Sequence, residues 1–555
     1  SADADLGPAF DALLAAIPTG ARSIGPVRAL QTAHRVPAAP AGIEPALGPT
    51  IRDLRERPPY NTVALWGFMY FYTGDQKWAG LFRDGMGVLH RRAETSGKWI
   101  TEPWSNIYFV LWNLFHAWEL IDDDPFFSLK DRATVEDVLY GYTQYVQDRP
   151  YLDADLMPPS EPRQNHYTFL ALSLDNAYRY YTDKYGLKGL ESMADKVRRT
   201  FDDGQGLSYR PNDDGGSGYQ TLAPSHYLYY ALKKGDLSFI QSGRIMTQVD
   251  LIAATTDNRG DPVTFGDIGN YSHANPGSPH KEEVLFPSVA AWFTKDGACQ
   301  WLFNWLNRDS VIEFSPWGPL GMGLYAGGLP EAPPTRFLGI LPVVLDEASL
   351  RWSSRRSADR LEQPLAGVRY FDKISFRRNF EPEDEYLLLD GTSTWAHGHQ
   401  DGNTVTRLTW RDRIWLADLD YIKDGPQEHN GVSVVRNGAQ DAPPPLNRLD
   451  LAADFDGLGA TATTTTDFNG ADWTRRILWK KGRYFLFLDT VAAREPGDYR
   501  LENRWRMRGD VSLEGNAVRL TRKEHLHRAA AAVSGLPGEH RLGELHPGTT
   551  QQSTR

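Results

Sequence analysis

The chain is poor in features that would fix its class at a glance. It has one cysteine, Cys299, in 555 residues. No intrachain disulfide is possible, and multi-cysteine metal sites are excluded. No run of about 18 apolar residues occurs, which argues against a membrane-spanning helix. The richest apolar stretch, 107–121, is broken by Asn113, His116 and Glu119. There is no surplus of positive charge: 60 Lys and Arg stand against 71 Asp and Glu, a formal net charge of −11. A nucleic-acid backbone is therefore a poor partner, although an acidic protein can still carry a local basic cleft for an anionic glycan. The chain opens at Ser1 without Met or a charged-plus-apolar leader, so it reads as processed or trimmed. Export is compatible with such trimming. No strict internal repeat is visible, which excludes a solenoid of identical units.

What the chain does have is length and aromatic residues. Such a length predicts two or more large domains. Seventeen Trp, 25 Tyr and 24 Phe suit a large core, and equally a cleft that stacks on sugar rings. From about 55 to 310 apolar residues recur at helical spacing, as at Val135, Val138, Leu139, Tyr142, Tyr145 and Val146. Further helical stretches fall at 63–72, 107–121, 169–181, 187–201, 239–254, 284–293 and 299–306. Consecutive amphipathic helices with short links predict paired helices wound into a toroid. After about 325 the pattern changes. A Gly- and Pro-rich stretch, 327–334, reads as a linker. Strand signals follow, with hairpins around Arg411-Asp412-Arg413 and Lys480-Lys481-Gly482 and a half-buried strand at 499–508. The expected layout is a helical domain over 1–330, a linker over 331–365, and an antiparallel β-sandwich over 366–555.

Three constellations can carry chemistry. In Trp395-Ala396-His397-Gly398-His399-Gln400-Asp401-Gly402, two histidines sit at i and i+2, on one side of an extended chain. Asp418 and His429 lie further on, beside strands. With His399 they offer two imidazoles and one carboxylate, which a water would complete to a tetrahedral Zn²⁺ shell. The competing reading is a solvated loop. The second constellation is Arg163-Gln164-Asn165-His166-Tyr167, where Asn165 is either a functional amide or a helix N-cap. The third is Gly216-Ser217-Gly218-Tyr219 followed by Pro224-Ser225-His226-Tyr227-Leu228-Tyr229-Tyr230. Any of these phenols can transfer a proton when its surroundings tune it, or can be core.

The motifs His397-Gly398-His399-Gln400-Asp401, Leu416-Ala417-Asp418 and His429-Asn430 resemble the β-domain signature of heparinase II/III-like polysaccharide lyases. Asn165-His166, the Gly-rich loop leading to Tyr227, and Phe265-Gly266-Asp267 resemble that family's toroid motifs. The resemblance covers about 60–510. It implies an incomplete (α/α) toroid followed by an antiparallel β-sandwich, with substrate between them. It also implies β-elimination on a uronic-acid-containing polysaccharide or oligosaccharide. Asn165 and His166 would then face the uronate carboxylate. Tyr227 would be the proton-transfer phenol and His397 a cleft histidine, while His399, Asp418 and His429 would hold a structural zinc. This sequence departs from the pattern at Gln220-Thr221, where a glutamate is expected, and Tyr219 and Tyr229 stay open beside Tyr227. The strand at 499–508 carries arginines and no histidine.

Two other readings compete. A glycoside hydrolase on an (α/α) scaffold would use carboxylates such as Asp213, Asp214 and Asp267. A non-catalytic carbohydrate-binding protein would use the aromatic residues alone. Arg377-Arg378 and Arg475-Arg476 are candidates for sulfate recognition. The particular polymer and the oligomeric state, a homo-oligomer included, stay open; neither a membrane nor a nucleic acid is expected as partner.

Overall fold

The computed structural model describes residues 60–96, 107–148, 161–211, 219–263, 265–266, 281–307, 329–356, 365–393, 399–418, 425–515 and 517–521. The chain divides into two compact units. One holds 1–211, 222–242 and 312–324, and the other holds 212–221, 243–311 and 325–555.

The first unit is helical. Its elements are α1 (Tyr60–Thr73), α2 (Gln76–Ser96), α3 (Ile107–Ile121), α4 (Leu129–Gln147), α5 (Asn165–Arg179), α6 (Glu191–Phe201), α7 (Tyr219–Lys234) and the single turn α8 (Ser238–Gln241). A π-helical turn, Tyr180–Lys184, extends α5. Helix α1 packs on α2 and α3, α2 on α4, α3 on α5, and α5 on α6, so helices meet next-but-one neighbours as well as adjacent ones. The apolar stripe foreseen on α4 is buried at Val135, Val138, Leu139, Tyr142 and Val146. Ser128 and Asp131 close a capping box at the start of that helix. Stacked Phe82 and Trp118, with Phe127 edge-on to both, fill the space between α2, α3 and the turn before α4. The single helix expected over 239–254 is two. Gly243 takes φ +82° and breaks it into α8 and α9 (Arg244–Ala254).

Among the described residues the second unit combines α9, α10 (Lys281–Thr294), α11 (Gly297–Asn307) and α12 (Glu347–Arg356) with thirteen strands. Strands β1 (Gly339–Val344), β2 (Phe371–Arg377), β3 (Tyr386–Asp390), β4 (Val405–Trp410) and β5 (Arg413–Ala417) form one antiparallel sheet in sequence order. Strands β7 (Asn447–Phe455), β8 (Leu458–Phe468), β9 (Ala471–Lys480) and β10 (Tyr484–Ala493) form the other. The inner faces meet in one core: Phe371, Ile374, Phe376, Leu387, Leu389 and Val405 pack against Leu449, Ile477 and Trp479. This is a sandwich, as the alternating strands implied. β1 and α12 occupy the stretch read as linker, and β1 is the edge of the first sheet.

Both faces of β2 and β3 are buried. The second face is covered by the segment after α9, where Val263 and Phe265 pack on Tyr386 and Leu388. The buried Arg377 guanidinium donates to the Ala253 and Thr256 carbonyls and, at 2.8 Å, to Asn258 Oδ1. Tyr386 Oη donates to the Ala254 carbonyl. A cation thus sits on the carbonyl end of α9, where the helix dipole favours it. Strand β6 (Val432–Arg436) pairs with β11 (Tyr499–Asn503), and β12 (Asp510–Glu514) with β13 (Ala517–Thr521). The half-buried strand expected over 499–508 ends at Asn503, and Leu501 is 50% exposed. Trp505 and Met507, beyond its end, do reach the sandwich core.

Candidate active site and metal cluster

The start of α5 is built from a cap and a bracing turn. Gln164 is the N-cap: its side chain accepts from His166 N at 2.7 Å. Asn165 is therefore not the cap but the first helical residue, buried at 4% exposure. Just before it, Arg163 N donates to Gln205 Oε1 at 2.7 Å. Gln205 is itself locked, its Nε2 donating to the Ser208 and Arg210 carbonyls at 3.2 and 3.1 Å. Gly204 and Gly206 flank it. A Cβ at Gly204 would lie 2.7 Å from Arg163 Nε, and one at Gly206 would lie 2.8 Å from Tyr227 Oη and 2.7 Å from Tyr227 Cζ. The turn Gln205–Leu207 thus touches the chain entering α5 on one side and the Tyr227 phenol on the other.

Tyr227 is held elsewhere by rings. Phe239 lies 5.3 Å from it, Phe201 6.2 Å and Tyr230 6.4 Å. Its neighbour His226 is buried, with Nδ1 2.9 Å from Thr168 Oγ1, and this contact ties α7 to the first turn of α5. The fold therefore brings the Asn165 segment and Tyr227 to opposite sides of one turn. His166 is half-buried. Tyr229 faces differently, its Oη 3.3 Å from His116 Nδ1. Burial raises the Tyr229 phenol far above its ordinary value and lowers His116 to about 4, with Lys233 adding to the latter. Such a phenol is a fixed hydrogen-bonding group rather than a ready proton donor. The side chain of Tyr219, together with His397, Asp213, Asp214 and Asp267, lies outside the described residues.

In the second unit the remaining candidates converge. His399, Asp401, Asp418 and His429 are all buried. The His399 and His429 ring centroids are 5.5 Å apart. His429 Nδ1 lies 2.9 Å from Asp418 Oδ1. Donor atoms of Asp401, Asp418 and His429 all fall within 4.8 Å of one another. Burial alone would depress His429; the Asp418 carboxylate, with Asp401 behind it, outweighs that and raises it to about 9. Burial, then the Asp390 charge, raises Asp401 to about 8.

The donor chemistry fits a divalent cation. His429 Nε2 is buried with no hydrogen-bond partner among the described residues. The Asp418 carboxylate lies on the Nδ1 side of the His429 ring, and one donor atom each from Asp401, Asp418 and His429 falls within a span that a single cation could occupy. Asp401 was legible only as part of the His-Gly-His-Gln-Asp motif; spacing alone gave it no role. Sequence reasoning also missed Gln205 and Gly206, whose signal was the Gly-Gln-Gly run.

The paired arginines divide by depth. Arg377 caps α9 as described, and Arg475 pairs with Asp489 at 2.9 Å with its side chain fully buried. Neither is available to a sulfate, whereas their neighbours Arg378 and Arg476 are exposed. Among the described residues no helix is long and apolar enough to cross a membrane.

No protein-family model matches the chain, and no curated protein matches it in sequence. Solved structures do. One titled heparinase III is similar with a TM-score of 0.52 at 11% identity, over 83% of this chain and 67% of that one. A heparan sulfate lyase from Pedobacter heparinus has a TM-score of 0.44 at 14% identity, over 84% of this chain and 66% of that one. The chain spans about two thirds of the length of these proteins. At such identity the first likeness establishes the fold: helices arranged as in the heparinase III toroid, followed by an antiparallel β-sandwich.

Proposed function

We propose that the chain is a polysaccharide lyase that cuts a uronic-acid-containing glycan by β-elimination. The carrying observation is the bracing of a buried amide, Asn165, and a buried phenol, Tyr227, on two sides of the same Gly-Gln-Gly turn. In this scheme the C5 proton is removed, the C4–O4 bond breaks, and a C4–C5 double bond forms as O4 takes a proton. The C5 proton is barely acidic while the neighbouring carboxylate keeps its full charge, so that charge must be met by donors. Asn165 Nδ2 supplies one, at the positive end of α5; His397 keeps the cleft-histidine role that the resemblance implies.

Tyr227 delivers the proton to O4 in either stereochemical course. When H5 and O4 leave from the same side of the ring, the Tyr227 phenolate takes H5 first and then returns it. When they leave from opposite sides, His166 takes H5. A polymeric substrate implies a secreted or periplasmic enzyme. We further propose that His399, Asp418 and His429 hold a structural Zn²⁺, which when bound would pin the strands beside His397.

The test is Tyr227→Phe, assayed by the ultraviolet absorbance of the unsaturated uronate end. Turnover should fall by about 10²–10⁴-fold with the circular dichroism spectrum unchanged. Near-normal turnover in the folded variant removes Tyr227 from the chemistry.

A further inference from the structure

A β-sheet ends in strands whose outer N–H and C=O groups have no partner, and folded chains protect such edges. Three of the four edges of this sandwich are protected. β1 carries Pro342 and a register shift at Val343/Val344. β5 is covered by the segment after β11, where Arg508 N donates to the Trp415 carbonyl at 2.9 Å and Leu416 bridges Met507. β7 shifts register at Leu449/Leu451, and Leu449 N donates to the Arg369 carbonyl at 2.8 Å. β10 has none of these devices. It pairs with β9 over Tyr484–Ala493 without a shift, and it contains no Pro, Lys or Arg. Among the described residues its backbone bonds to no strand but β9. Its outward side chains Tyr484, Leu486 and Leu488 are 52%, 42% and 51% exposed.

We propose that β10 pairs antiparallel with β10 of a second copy of this chain, across a two-fold axis at Leu488, joining two four-stranded sheets into one. An open row of backbone donors and acceptors is satisfied by another strand, and a two-fold contact requires a strand that complements itself. Side-chain alternation limits the register. Residues directly opposite each other share a face, so the axis passes through a residue and not between two. An axis at Asp489 would set two carboxylates directly opposite each other. One at Phe487 would leave the strand unpaired from Val491 on. An axis at Leu488 pairs all of 484–492. Leu488 then meets its own copy, Leu486 lies opposite the partner's Thr490, and Tyr484 lies opposite the partner's Ala492. The exposed apolar row becomes continuous across the axis. The single charge on the strand is already balanced within its own chain: Arg475 holds Asp489 at 2.9 and 3.0 Å, and Trp473 Nε1 donates to it at 2.9 Å. The two edges thus meet without opposed free charge, although the whole chain carries −11.

Two measurements on the full chain test it. The first is mass in solution over a dilution series, for the wild type and for Leu488→Lys, with circular dichroism as the control on folding. A single strand pair lies at the small end of stable interfaces, so the association reverses on dilution. The wild type should show twice the mass of one chain when concentrated and one chain when dilute. In Leu488→Lys two ammonium groups would meet at the axis, and the mass should stay at one chain throughout. The second measurement needs no variant and so survives a folding failure. Hydrogen exchange of the β10 amides is followed in the wild type at the same dilutions. Those turned away from β9 should be protected in the concentrated sample and lose that protection on dilution. A wild type that is one chain at every concentration, a folded Leu488→Lys that keeps the doubled mass, or β10 exchange that does not change with concentration would overturn the proposal. Exchange that is slow at every dilution would assign the edge to a segment of the same chain instead.

Discussion

Gly206 shows how closely the candidate chemistry depends on single atoms. A methyl group there would fall 2.6–2.8 Å from the edge of the Tyr227 phenol, well inside van der Waals contact. Overpacking of that kind typically costs about 1–3 kcal/mol and moves whatever can move. Tyr227 is packed on its other sides by Phe201 and Phe239, so relief comes from displacing the phenol. Gly206→Ala should therefore lower kcat by about 10²-fold, the cost of a misplacement of roughly 1 Å, with KM nearly unchanged. A variant with wild-type kcat shows that the phenol position is not critical. The same residue marks a limit of sequence reading. Tyr227 and Asn165 were legible as chemistry-bearing types, but the turn that braces them lies about 20 to 40 positions away from each, and no local pattern connects it to either.

At the scale of elements, strands and helices were readable because their periods are. The α4 stripe and the β4–β5 and β9–β10 hairpins follow from spacing alone. The Arg411-Asp412 turn holds φ of +56° at both residues, the geometry of a tight two-residue hairpin, without the Asn-Gly that usually serves there. What spacing could not show is which elements share a unit. Helices α9 to α11 group with the strands, whereas composition placed the boundary near 330. The physical reason is tertiary: Arg377 of β2 holds the carbonyl end of α9, and Tyr386 of β3 adds a bond to the same end. Arg377→Met keeps much of the volume but leaves those buried acceptors without a donor. It should destabilise the second unit by about 3 kcal/mol, measured by urea denaturation. A change below about 0.5 kcal/mol would show the contact to be incidental.

At the scale of the whole molecule, the architecture explains its expected response to acid. His116 lies at the α3–α7 contact, and burial with Lys233 nearby lowers it to about 4 against an ordinary 6.5. The unfolded chain thus binds this proton more readily than the folded one. Stability from this group is complete above pH 6.5, falls as the pH drops from 6.5 towards 4, and levels off below that. The loss is on the order of 1–3 kcal/mol. His116→Leu should flatten that limb of a melting-temperature profile; an unchanged slope would assign it to other groups.

The claim on which the account turns is the bond change itself, and it can be read directly. The purified chain is incubated with a panel of uronic-acid polysaccharides while ultraviolet absorbance is followed. The account predicts that at least one polymer gives a rising absorbance from a conjugated C4–C5 double bond, with the new chain ends unsaturated by mass. Chain shortening with no such absorbance, each cut adding a water, would contradict it.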